Sequence, residues 1–140
     1  MKYIVKVLFL IVLSVGVGVA DEFKSVTTLK LKKDEYKTYM VRYDRFEKPF
    51  YFRWTLYVNG GLVVQRSYDR FPAQNILKLG YRNNSFKLYL KPKDSKLKVP
   101  YIMVKFVEFD STNELAIFKL FISDEKEEVQ IEELKAKKRD

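Results

Sequence analysis

The 140-residue chain carries 27 basic and 18 acidic side chains, a formal charge of +9, and it contains neither cysteine nor histidine. Those absences exclude disulfides, thiolate chemistry, Ser-His and Cys-His nucleophile pairs and zinc sites of the usual kind. A hydrolase would have to work through carboxylates or lysine, and no catalytic residue, metal ligand set or cofactor motif is assigned. The acidic run at 124–128 lacks the alternating oxygen ligands and the glycine of a calcium loop, so it reads as a solvated turn.

The chain opens with Lys2 and Lys6 before an uncharged, mostly apolar run at 7–19, and small residues Gly18, Val19 and Ala20 precede Asp21. This is the layout of a cleavable secretory signal. Thirteen positions are too few for a membrane-spanning helix, which needs about 20 apolar residues. The expectation is a leader at 1–20 and one domain over 21–140, periplasmic or secreted, with no membrane span after cleavage.

Aromatic and β-branched residues recur at every second position through the rest of the chain, which predicts strands. In chain order they fall at 24–32, 36–45, 50–58, 62–68, 75–79, 85–91, 101–109, 114–122 and 129–134. Pro49, Pro72, Pro92 and Pro100 lie between these runs or at their edges, where a missing ladder donor does least harm. Two segments are ambiguous: 72–79, closed by Gly80, reads equally as a short helix, and 123–138 as a charged C-terminal helix. The fold class is all-β, an antiparallel meander forming a sandwich or a partly closed barrel.

Asn59-Gly60-Gly61 between apolar runs marks a hairpin. A two-residue loop would set Arg53 opposite Arg66, and like charges directly opposed destabilise a sheet, so a three-residue loop is preferred. It pairs Trp54 with Arg66 and puts Phe50, Phe52, Trp54, Leu56 and Val58 on the core face. The preceding strand is expected to turn through Glu47-Lys48-Pro49.

The tetrapeptide Tyr-Asp-Arg-Phe occurs at 43–46 and again at 68–71. In this register both copies arrive at one end of the sheet. The face opposite the core then carries Tyr39, Tyr43 and Arg45, then Tyr51, Arg53 and Tyr57, then Gln65, Ser67 and Asp69. Tyrosine and arginine are enriched where proteins grip one another, although a solvated sheet face carries them too. The candidate binding surface is Tyr43, Arg45, Tyr51, Arg53, Tyr57 and Asp69. Asp44 and Asp69 are expected to point to opposite faces, which argues against a carboxylate pair.

Charge is unevenly placed. Between 76 and 106 eight basic side chains stand against Asp94 alone, and between 107 and 134 nine carboxylates stand against Lys119 and Lys126. The candidate basic patch is Lys87, Lys91, Lys93, Lys96 and Lys98. An exported chain does not meet nucleic acid, so the expected partner is a protein, an anionic glycan or a lipid headgroup. The sequence thus reads as a non-catalytic binding module for a protein or anionic envelope component. The alternative is a small β-barrel carrier of an apolar ligand, lined by Trp54 and the phenylalanines.

Overall fold

The computed structural model describes residues 23–91, 99–123 and 129–135. The expected leader at 1–20 lies outside them, as do Pro92, Lys93, Lys96, Lys98 and the acidic run at 124–128. The described residues form nine strands: β1 (Phe23–Lys32), β2 (Lys37–Tyr43), β3 (Phe46–Val58), β4 (Gly61–Tyr68), β5 (Phe71–Lys78), β6 (Ser85–Tyr89), β7 (Tyr101–Asp110), β8 (Leu115–Ser123) and β9 (Gln130–Leu134). They build two antiparallel sheets, of order β1-β8-β7-β6 and β5-β4-β3-β2-β9, packed face to face as a sandwich and not closed into a barrel. Both helical alternatives are corrected. Residues 72–78 belong to strand β5, and the described part of the C-terminal segment forms strand β9.

Three successive hairpins explain the five-stranded sheet. Tyr43 pairs with Phe46, Val58 with Gly61 and Tyr68 with Phe71, so each loop has two residues. Asn59 and Gly60 have φ of 53° and 78°, the left-handed pair that a type I′ turn needs. Asp44 and Arg45 (48° and 70°) and Asp69 and Arg70 (51° and 70°) adopt the same turn without glycine. Each Tyr-Asp-Arg-Phe copy is therefore a complete tight turn: tyrosine closes one strand, Asp-Arg makes the corner and phenylalanine starts the next.

This corrects the expected registers. The chain turns at Asp44-Arg45 and not at Glu47-Lys48-Pro49, which changes the pairing parity, and a change of parity turns every side chain to the other face. Tyr39 now pairs with Phe50, and both Tyr39 and Tyr43 are core residues, 4% and 9% exposed. Pro49 and Pro72 lie inside β3 and β5 and not between strands. Pro72 is tolerated because β5 is an edge strand. The Pro49 carbonyl accepts from Asp69 N–H where β4 ends.

The hairpin loop at 59–60 also has two residues and not three, yet Arg53 and Arg66 do not meet. Trp54 pairs with Val64 but Leu56 pairs with Val63, so Thr55 is an extra residue in a β-bulge. Beyond it Arg53 lies opposite Gln65 and Phe52 opposite Arg66. The bulge also reverses the faces: Phe50, Phe52 and Trp54 are buried, whereas Leu56 and Val58, expected in the core, are 49% and 52% exposed. Tyr57 turns inward and stacks on Phe109 at 3.9 Å between ring centres.

The core is aromatic. Phe52 contacts Phe86 and Phe118 edge-on, and Phe106 packs against Phe118, so the rings fill the space between the sheets. Buried Trp54 donates its indole N–H to the Leu31 carbonyl at 2.8 Å, and Asp34 N–H returns a bond to the Trp54 carbonyl. These two bonds hold the crossover from β1 to β2 against β3.

Candidate functional site

The outer face of the five-stranded sheet holds an open groove of about 430 Å³. Its floor comes from β3, β4 and β5, where outward positions lie side by side: Tyr51 beside Ser67, Arg53 beside Gln65, Ser67 beside Pro72 and Gln65 beside Gln74. Tyr36, from the β1–β2 crossover, closes one flank. Its ring meets Tyr51 edge-on at 5.5 Å.

Arg53 is held in place from three sides. Its Nε and Nη2 donate to Gln65 Oε1 at 3.2 and 2.9 Å, its guanidinium lies 4.9 Å over the Tyr36 ring, and Nη1 is 3.9 Å from Asp34. A planar cation fixed on an aromatic ring is a preorganised donor surface. Asp34, 3.9 Å away and largely exposed, offsets part of its charge, so the groove is polar and aromatic with a partly compensated cation. Ser67 is buried beneath it. Arg66 faces the other way, with its guanidinium 4.7 Å over the Phe86 ring and Nε donating to Asn75. Burial lowers its pKa from the ordinary arginine value.

The remaining candidates scatter. Tyr43 is in the core edge and Tyr57 is packed on Phe109, so neither lies beside Tyr51 and Arg53. Arg45 is exposed in its turn. Asp69 is 3.4 Å from Lys48, and Asp44 is 3.9 Å from Lys91, so each acidic turn residue faces a different lysine. The ammonium of Lys48 also lies over the Phe46 and Tyr68 rings. Tyr68 has a raised pKa because it is desolvated and because Asp69 is close. Lys91 sits 4.9 Å over the Tyr43 ring at the edge of the sandwich. Lys87 instead points out from the four-stranded sheet, 4.8 Å over Tyr101. Of the basic patch only Lys87 and Lys91 are described, both exposed in alternation with buried Phe86, Leu88 and Leu90.

Sequence reasoning missed Tyr36, Pro72 and Gln74. Gln74 lies one residue before the strand expected at 75–79, in a segment that also reads as a short helix. Tyr36 reaches the groove through a crossover between sheets, for which no local pattern exists.

No family model, curated protein or solved structure matches the chain.

Proposed function

We propose that the protein is a secreted or periplasmic, non-catalytic binding module that grips a partner protein in the Tyr36–Tyr51–Arg53 groove. The observation that carries this is Arg53, locked by Gln65 and Asp34 against the Tyr36 ring on an open sheet face. Tyrosine and arginine anchors of low residual entropy are the residue types that dominate protein interfaces. The internal pairing of Arg53 with Asp34 favours a protein segment over an anionic component in this groove; an anionic envelope component would fall to the lysines elsewhere. Export is supported by the cationic start and the apolar run at 7–19.

The carrier reading has less support. A carrier needs an interior cavity of several hundred Å³, whereas Phe52, Phe106 and Phe118 pack on one another and the described groove lies outside.

The test is capture from an envelope fraction with the mature domain, beside Tyr51→Ala/Arg53→Ala of matched circular dichroism. A protein retained by the wild type and lost with the double variant supports the groove. Equal retention by both would sink it.

A further inference from the structure

The four-stranded sheet also turns one face to solvent, and its composition differs from that of the groove. Lys105 on β7 and Lys119 on β8 are directly opposite each other. Both point outward, since Val104, Phe106, Phe118 and Leu120 beside them are buried. Among the described residues neither has a carboxylate within ion-pair distance. Opposed like charges destabilise a sheet, so this pair carries a local cost that no ion pair among the described residues offsets.

The surroundings are cationic and apolar in alternation. Lys30 extends from β1 and Lys87 from β6 on the same face. The row next to Lys105 and Lys119 runs Val26, Phe121, Met103, Lys87 across the four strands. Val26 is 54% exposed although it lies mid-strand. The next row sets Tyr101 against Tyr89, with rings 5.6 Å apart. Carboxylates reach this face from β7 only at Glu108 and Asp110, past the bulge at Val107 and toward the β7–β8 turn.

We propose that this face docks on a bilayer leaflet rich in anionic phospholipid. Charge complementarity selects the partner: lysines supply diffuse attraction without the bidentate geometry of arginine. The apolar groups between them select a bilayer over a soluble polyanion. Val26, exposed in mid-strand, has nothing to gain from a hydrated glycan, whereas at a headgroup boundary an apolar side chain is buried while the lysine heads stay with the phosphates. This face is on the other side of the sandwich from the groove, and the proposal stands independently of it.

The test is co-sedimentation of the mature domain with phosphatidylcholine vesicles, with and without phosphatidylglycerol, at low and physiological ionic strength. Retention should require phosphatidylglycerol and weaken with salt. Lys105→Gln and Lys119→Gln should each lower affinity about fivefold, while thermal stability holds or rises because the opposed charges are relieved. Val26→Ser should weaken vesicle binding and leave binding to soluble dextran sulfate unchanged. Tyr51→Ala/Arg53→Ala should bind vesicles as the wild type does. Equal retention with and without phosphatidylglycerol, undiminished retention of the lysine variants, or binding to dextran sulfate without binding to vesicles would each overturn the proposal.

Discussion

The Trp54 indole N–H meets the Leu31 carbonyl at 2.8 Å, joining β3 of one sheet to β1 of the other. Two contributions can be separated there. Trp54→Phe keeps most of the ring burial but leaves a buried carbonyl without its donor, which costs about 1–3 kcal/mol. Trp54→Ala also opens a cavity and should cost about 3–5 kcal/mol. Urea denaturation of both variants checks the order. Equal losses would mean that the hydrogen bond contributes nothing beyond packing.

The two Asp-Arg corners hold non-glycine residues at positive φ, a conformation that costs roughly 1–2 kcal/mol per residue. Arg45→Gly and Arg70→Gly should therefore each raise stability, by about 1 kcal/mol, as type I′ turns favour glycine at the second position. Arg70→Pro should collapse its hairpin, because proline fixes φ near −65°. A loss of stability in the glycine variants would show that the arginine side chains hold the corners.

Tyr39 is buried against Phe50, and among the described residues its hydroxyl finds no hydrogen-bond partner. Burial, and then the nearby Glu133 carboxylate, raise its pKa well above the ordinary tyrosine value. The sign follows directly: the folded state holds the neutral phenol, so this contribution is complete below about pH 10. It is lost as pH climbs beyond that value, because the unfolded chain ionises first. Tyr39→Phe should stabilise at neutral pH by about 1 kcal/mol and make the alkaline limb shallower. Melting temperature followed from neutral to alkaline pH measures both effects.

Asp110 caps the β7–β8 turn, accepting from the Asn113 side-chain amide at 2.9 Å and from the Asn113 and Thr112 backbone N–H groups. The Asn113 side-chain bond is the largest cause of its lowered pKa. A depressed carboxylate stabilises the fold above its unfolded value, about pH 3.9, and that stability is lost as pH falls through the lower folded value. Asp110→Asn keeps an acceptor in the turn but cannot titrate. Its melting temperature should fall less steeply than that of the wild type under acid conditions; identical acid limbs would remove Asp110 from that role.

Strand positions were legible because alternation and β-branched content are local properties. Asn59-Gly60 was equally legible as a corner. The faces were not, and two particular places explain why. Asp44-Arg45 makes a tight turn without the glycine that normally signals one, so Tyr39 and Tyr43 were assigned to the outer face although they pair into the core. Thr55 separates Trp54 from Leu56 by one unpaired position, and no residue there announces a bulge. Arg53 and Arg66 do not oppose each other, and the chain avoids that like-charge contact by the bulge instead of by a longer loop. Tyr51 and Arg53 face outward as alternation predicts, because the pattern with Phe50, Phe52 and Trp54 runs unbroken up to Thr55.

The extra residue at Thr55 has a consequence for how this surface can change. It divides β3 into two stretches whose side-chain phases are set separately: up to Trp54 by the aromatic interior, and from Leu56 onward by the Asn59-Gly60 corner. Deleting that one residue would restore regular alternation from Trp54 to Leu56 and keep every side chain on its present face, Leu56 and Val58 outward and Tyr57 inward, removing only the local bend and added twist of the bulge. A single-codon change could thus alter the curvature of the grooved sheet while leaving unchanged the set of residues it presents.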